Sequence, residues 1–280
     1  MKEIFLQFEL FGSNITLRWF QVMAACGFLA ALFLLKKRAK IYGEDPDKIE
    51  TALFYSMIGA ILGARLLFVV RFWDENFAGR PFSKVLAFHE GGLVFQGGLI
   101  GGLIVAYFVC KKYNLKFLTA LDIAAPCIAL AHAFGRVGCF LNGCCFGGQC
   151  SVKALAVQYP KGSFPWQDHL KRGLIEPGAD LSAAVHPAQL YAFFALTGIC
   201  ALLCFVSKKF KKPGMIFGLY FCIYSVWRFI VEFLRDDQVL TAGLSPAQYI
   251  AIGTLIFGIV IMQICRKNEE HNFPETKEVK

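Results

Sequence analysis

Charge is what this chain has least of. Only 18% of its 280 residues are charged, against roughly 25% in an average soluble domain. Hydrophobic residues make up 56%, and 29 of them are phenylalanine. At a mean hydropathy of +0.52, too few polar side chains remain to cover the outside of one or two water-soluble domains of this length. There is no long Pro, Ser or Gln tract and no solenoid period, which excludes disordered linkers and repeat arrays. No Gly-x-x-x-x-Gly-Lys-Ser/Thr pattern occurs, so a nucleotide loop is excluded too. The net charge of +9 is no nucleic-acid signature, because the basic residues fall at the ends of apolar runs.

Those runs are what the chain has in excess. A helix needs about 20 mainly apolar residues to cross a hydrocarbon core of roughly 30 Å. Seven stretches meet that need, near 17–35, 51–70, 93–110, 117–137, 187–206, 214–234 and 246–265. The expected fold is an all-α integral membrane protein, one transmembrane domain over 1–280, with an outward-facing loop region, 138–186, between spans four and five. The first run is not read as a cleavable signal peptide. Lys2, Glu3 and Glu9 precede it, whereas Lys36, Lys37, Arg38 and Lys40 follow it.

Lys and Arg are retained on the cytoplasmic side of a membrane. Alternate loops hold Lys36, Lys37, Arg38, Lys40 and Lys48; Lys111, Lys112 and Lys116; Lys208, Lys209, Lys211 and Lys212; and Arg266, Lys267, Lys277 and Lys280. The N-terminus, the 71–92 loop, the 138–186 segment and the 235–245 loop then face outward, and the C-terminus faces the cytoplasm.

An ionised Arg at bilayer depth costs at least about 2.5–3.5 kcal/mol on insertion scales, so it needs a partner, a cavity or a ligand. Arg65, Arg136 and Arg228 lie inside or at the edge of spans, with Arg136 read as ending the fourth. Arg228, Glu232 and Arg235 stand at i, i+4 and i+7, a spacing that puts them on one helical face. That set reads either as an internal ion pair or as an anion site with net positive charge. Arg136 lies among glycines, in Gly135-Arg136-Val137-Gly138, and is followed by Asn142, Gly143, Gly147 and Gly148. Guanidinium forks beside glycine amides suit a phosphate, and in a membrane that phosphate belongs to a lipid headgroup.

Glycine is dense from Glu90 to Gly102, around Gln96, Gly97 and Gly98. Small residues there either pack helices closely or leave space for a lipid. His186-Pro187-Ala188-Gln189-Leu190-Tyr191 and Ser245-Pro246-Ala247-Gln248-Tyr249 open spans five and seven, as two similar helix starts or as contributors to a polar site. Cys139, Cys144, Cys145 and Cys150 cluster within twelve residues. Without paired C-x-x-C spacing they signal zinc only weakly, and a disulfide, a catalytic thiol and unpaired structural cysteines stay open.

Taken together, the Gly91–Gly102 stretch, Gly135-Arg136-Val137-Gly138-Cys139-Phe140-Leu141-Asn142-Gly143, His186-Pro187-Ala188-Gln189-Leu190-Tyr191 and Arg228-Phe229-Ile230-Val231-Glu232-Phe233-Leu234-Arg235 resemble the prolipoprotein diacylglyceryl transferases of bacteria. The resemblance covers nearly the whole chain. It implies a multi-pass inner-membrane enzyme, with the N-terminus outside, that moves the diacylglyceryl group of phosphatidylglycerol to the lipobox cysteine thiol of a prolipoprotein and releases glycerol 1-phosphate. The resemblance makes Arg136 the essential arginine and Arg228, Glu232 and Arg235 its Arg–Glu–Arg face, with Asp122, Asn142, Gly147 and Tyr224 on matching positions. Gln96 stands where many members have His followed by Gly-Gly, here Gly97 and Gly98; Cys139 replaces Asn, and Ala192 replaces Glu.

A thiol that attacks a glyceryl carbon needs a proton acceptor, and a departing phosphate needs positive charge. Gln96 is not basic near neutral pH. His132, four residues before Arg136 and so on the same helical face, reads either as the group that takes its place, ahead of His89, Glu90 and Tyr224, or as a histidine hydrogen-bonded between helices. No metal, cofactor or nucleic acid is implied; the expected partners are the lipid, the lipobox segment and the bilayer. A non-catalytic lipid- or lipoprotein-binding paralogue is the second reading, motivated by Gln96 and Ala192. A transporter is the third, disfavoured because polar residues gather toward one face.

Overall fold

The computed structural model of the chain describes residues 4–10, 13–87, 91–235 and 241–267. Lys2, Glu3, His89, Glu90, Lys277 and Lys280, all used in the sequence reading, lie outside them. The protein is mostly helical, with one departure from the all-α expectation. Strands β1 (Ile4–Leu10) and β2 (Ser13–Arg18) pair antiparallel before the first helix, with Leu6 opposite Leu17. Phe5 closes edge-on against Trp19, ring centroids 4.7 Å apart, so the hairpin seats on the start of that helix.

Nine helices follow among the described residues: α1 (Trp19–Ile41), α2 (Pro46–Arg71), α3 (Trp73–Asn76), α4 (Phe95–Lys112), α5 (Phe117–Leu141), α6 (Phe164–Lys171), α7 (Ala188–Val206), α8 (Met215–Val231) and α9 (Pro246–Cys265). Six of them, α1, α2, α5, α7, α8 with the turn after it, and α9, are long and apolar enough to cross a membrane. The third expected span, α4, is not among the six: its 18 residues include Gln96, four glycines, Lys111 and Lys112. Large apolar side chains such as Phe33, Phe194 and Phe205 are exposed on these helices. Water would not tolerate so extensive an apolar surface, whereas lipid tails match it.

Contacts group the chain into two units. Among the described residues, one is Leu35–Ile123; the other joins residues 4–34 with residues 124–267.

In the Leu35–Ile123 unit, Asp45 caps α2 by accepting from the Asp47 amide (2.9 Å), and Pro46 takes a first-turn position where its missing N–H costs nothing. Helices α2 and α4 cross through glycine. A Cβ added to Gly63 would fall on the Gly97 carbonyl, and one added to Gly101 on the Gly59 carbonyl. The glycines of α4 thus serve close helix packing. Arg65 is buried and serves the same unit: its guanidinium donates to the carbonyls of Lys84 (2.7 Å), Val85 (2.9 Å), Gly91 (2.6 Å) and Gly92 (3.2 Å). The intramembrane charge is matched by backbone oxygens of the loop that follows α2.

Helix α1 runs six residues beyond the expected end of its span, because Arg38 is not a solvated loop charge. It is buried, with Nε donating to Ile123 O (3.1 Å) and a terminal nitrogen donating to Asp122 O (3.0 Å). Pro126, inside α5, has no N–H to give the carbonyl four residues earlier, which is that of Asp122. Arg38 supplies that donor from outside the helix. Asp122, matched by the family resemblance, therefore takes part here through its backbone.

In the other unit, α1 and α5 approach closely at Gly27, where a Cβ would meet Phe134 Cβ at 2.7 Å, and at Gly138, where a Cβ would lie 3.1 Å from Phe20 Cα. Helices α8 and α9 cross at Gly218 and Gly258, joined by a hydrogen bond between the Ser225 and Thr254 hydroxyls (2.7 Å). Ala133, Ala192 and Leu196 form a buried cluster of α5 and α7 against which Phe193, Tyr224 and Trp227 pack. These packings hold α5, α7 and α8 around one cleft.

Candidate functional site

The cleft is small and partly open. His132 and Arg136 come from α5, Ala188, Ala192 and Leu196 from α7, and Tyr224, Trp227, Arg228 and Val231 from α8. Cys145, in the turn after α5, and Arg235, beyond α8, complete its wall. Five sequence-predicted residues, His132, Arg136, Tyr224, Arg228 and Arg235, therefore meet in one place.

Arg136 does not end its helix; α5 continues to Leu141. Its Nε donates to His132 Nε2 across 3.2 Å, one helical turn back. A guanidinium has no lone pair to offer, so Nε2 must be the acceptor and the imidazole neutral. The His132 ring also lies against Tyr224, centroids 5.7 Å apart.

The three-residue helical face expected of Arg228, Glu232 and Arg235 is not what forms. Helix α8 ends at Val231, Glu232–Leu234 tighten into a 3-10 turn, and Arg235 is extended. Glu232 is 3% exposed, ion-paired with Arg228 and accepting from Ser245 Oγ (2.9 Å). Ser245 in turn caps α9 in a capping box with Gln248. The carboxylate thus anchors Arg228 to the start of α9. Three guanidiniums against one carboxylate leave the cleft with net positive charge, a setting for an anion.

The glycine amides expected to cradle phosphate are already used. Gly147 N–H donates to His186 O (2.8 Å), and Gly148 N–H donates to Leu234 O (2.7 Å). A Cβ on Gly147 would lie 2.8 Å from Leu234 O and 2.9 Å from His186 Cβ. Gly147 is thus the point where the turn after α5, the start of α7 and the end of α8 meet, which brings Cys145 and Arg235 to the same wall. Asn142 does not line the cleft; its Oδ1 is buried without a hydrogen-bond partner among the described residues. Gln96, Gly97 and Gly98 belong to the first turn of α4 in the Leu35–Ile123 unit, with Gln96 exposed and Gly97 buried.

The two echoing motifs are helix starts. Pro246 occupies the first turn of α9, whereas Pro187 is the residue before α7. Gln189 is fully buried and donates to Cys144 O (2.7 Å) and Tyr159 Oη (3.3 Å), while His186 Nδ1 faces Tyr191 Oη at 3.3 Å. Burial pushes the Tyr159 phenol up to about 12.

All described cysteines are free thiols, so the disulfide reading of the cluster is not what forms. Cys139, Cys144 and Cys145 instead bring their sulfurs within 4.8 Å of one another. The neighbouring Cys139 and Cys144 thiols, with Arg136 and Arg235, hold the Cys145 thiol well below its ordinary range. Sequence reasoning missed Cys145 and Trp227 as cleft residues and Ser245 as Glu232's partner. Of these, only the four-cysteine clustering gave any signal.

Residues 7–264 match the family described as prolipoprotein diacylglyceryl transferase. A relative in Clostridium tetani, phosphatidylglycerol–prolipoprotein diacylglyceryl transferase, is 38% identical over 92% of this chain and 96% of its own. Relatives of the same name in Clostridium novyi and Gloeobacter violaceus are 34% and 33% identical, over 91% and 87% of this chain and 93% and 86% of theirs. With a match this extensive, joined to apolar helices around a cationic cleft, the chain belongs to the prolipoprotein diacylglyceryl transferase family.

Proposed function

We propose that this cleft is where the protein transfers the diacylglyceryl group of phosphatidylglycerol to the cysteine thiol of a prolipoprotein, the first step of bacterial lipoprotein maturation. The sulfur attacks the glyceryl carbon bound to phosphate oxygen. A C–S bond forms, that C–O bond breaks, glycerol 1-phosphate leaves with the electron pair, and the thiol proton passes to a base. A phosphodiester carries a single negative charge, and the departing monoester gains more. Net positive charge placed beforehand around it therefore stabilises the transition state more than the ground state.

The observation that carries the reading is the Arg136–His132 bond beside Arg228 and Arg235. Arg136 and Arg228 bind the phosphate, and Arg235 adds to the field. As Arg136 turns from His132 toward phosphate oxygen, the Nε2 lone pair becomes available to take the thiol proton. Phosphate binding and base release are thereby coupled. Tyr224 orients the imidazole, Glu232 fixes Arg228, and Gly147 holds the turn that carries Cys145. Contact of Gln96, Gly97 and Gly98 with the lipid rests on the family resemblance alone. The transferase names of the relatives weigh against the non-catalytic reading.

The topology that serves this chemistry has seven spans, α4 included, the N-terminus and the 138–186 segment outside and the C-terminus in the cytoplasm. The alternation of basic loops supports it. The acceptor is the lipobox segment of the prolipoprotein, whose thiol must reach the outer end of the cleft. Membranes containing the full chain, phosphatidylglycerol and a lipobox peptide test the reading by mass spectrometry. The peptide should gain one diacylglyceryl group in a thioether and glycerol 1-phosphate should appear; an unmodified peptide contradicts it.

A further inference from the structure

The sulfurs of Cys139, Cys144 and Cys145 converge although two of them belong to consecutive residues, whose side chains usually diverge. The backbone accounts for this. Gly143 turns the chain at φ 71°, and Cys145 adopts φ 62°, a left-handed conformation uncommon for a residue with a side chain. The turn is also held from outside: the Cys144 amide donates to Cys139 O (3.0 Å), and fully buried Gln189 donates to Cys144 O (2.7 Å). Strain retained in a fixed turn marks a position that its surroundings over-determine.

We infer that Cys139, Cys144 and Cys145 form a binding site for one thiophilic, closed-shell cation of the zinc class. Zinc–sulfur bonds of about 2.3 Å in tetrahedral geometry put the sulfurs about 3.8 Å apart. Sulfurs already within 4.8 Å of one another reach that spacing by small side-chain rotations. Binding places one divalent cation among three thiolate sulfurs, releases to solvent the protons those sulfurs still carry and leaves a complex with one net negative charge. Arg136 and Arg235, the cations that act on Cys145, offset that charge, as outer groups around metal sites do. The fourth coordination position is left to water or another small ligand.

Cys145 also lines the cleft. Occupancy therefore engages Arg136 with the metal complex and should slow diacylglyceryl transfer, a consequence that rests on the cleft being the lipid site. Binding itself is read without any activity. Full-length protein in lipid nanodiscs, reduced and then freed of reductant without air, is titrated with Cd²⁺ and followed by its ultraviolet thiolate charge-transfer absorbance. One equivalent per chain should bind, with the absorbance lost in Cys139→Ser, Cys144→Ser and Cys145→Ser and kept in Cys150→Ser. On the unaltered protein, Zn²⁺ should protect the same three thiols from iodoacetamide and leave Cys26 unprotected, as mapped by mass spectrometry. Absorbance that survives the triple serine variant, or alkylation of the three thiols unchanged by Zn²⁺, overturns the site. Slowed transfer without thiol protection would do the same, and thiol protection with unslowed transfer would contradict only the link to the lipid site.

Discussion

Arg136 Nε and the Nε2 lone pair of His132 satisfy each other across 3.2 Å inside a cleft that also holds Arg228 and Arg235. In the proposed mechanism each residue is kept from its role by the other until an anion competes for the guanidinium. A neutral imidazole and a set of cations can coexist in one small cavity because the imidazole accepts a hydrogen bond instead of carrying charge.

Replacing His132 by Gln keeps an acceptor for Arg136 and removes the base. Transfer should fall by about 10²–10⁴-fold, the range for loss of a general base, while lipid binding is retained. Transfer rates in membranes across neutral pH check this. A His132→Gln protein with an unchanged rate would pass the proton to another group.

The donor that Pro126 lacks and Arg38 supplies can be tested by a double-mutant cycle. Arg38→Met removes the donors to the Asp122 and Ile123 carbonyls and should cost about 1–3 kcal/mol, the scale of lost buried hydrogen bonds. Pro126→Ala restores a backbone N–H to α5. In that background the Arg38→Met loss, measured by thermal unfolding in detergent, should shrink; equal losses would show the two residues to be uncoupled.

Gly63→Ala places a methyl against the Gly97 carbonyl, and backbone cannot move aside as a flexible side chain can. The substitution should destabilise by about 1–3 kcal/mol or more through overpacking. Gly253, in α9, has nothing within 4 Å of an added Cβ. Gly253→Ala should therefore be neutral or stabilise by up to about 1 kcal/mol through helix propensity. The pair of melting temperatures separates packing from propensity.

His169, in α6, is buried and accepts from the Ala183 amide at Nδ1 (3.1 Å). Burial pushes its pKa below the ordinary 6.5, Arg172 adds to the effect and Asp168 opposes it. Above pH 6.5 the ring is neutral folded or unfolded, so it contributes no pH dependence there. As pH falls through that value, the unfolded chain takes up the proton first and stability drops. The unfolding temperature should decline on acidification in the wild type and less so in His169→Asn.

Much of the architecture can be read from composition, because apolar run length is set by bilayer thickness and not by tertiary detail. The expected 246–265 span coincides with α9, where Ser245-Pro246 and Gln248 carry their own start signal. At the end of α1 a buried charge moves the boundary: Arg38 reads as the solvated end of α1 and instead continues it by binding carbonyls of α5. The gathering of His132, Arg136 and Arg228 follows from their depth in apolar runs. Spacing anticipated that Arg235 joins Arg228 but not how, since a 3-10 turn ends the helical periodicity at Glu232. It was silent on Cys145 and Trp227, because neither the left-handed turn nor the packing of α8 on α5 and α7 is encoded within a few residues.

The central claim is that Arg136, with Arg228, holds the phosphate of the lipid donor as charge builds on it. Its most direct measurement is single-turnover transfer by Arg136→Lys, in membranes where the protein accumulates normally. Lysine keeps the charge and loses the planar fork, so the account predicts a fall of about 10²–10³-fold, as for loss of one transition-state donor. Near-normal turnover by Arg136→Lys, and by Arg136→Ala and Arg228→Ala measured beside it, would contradict the phosphate role of the cleft.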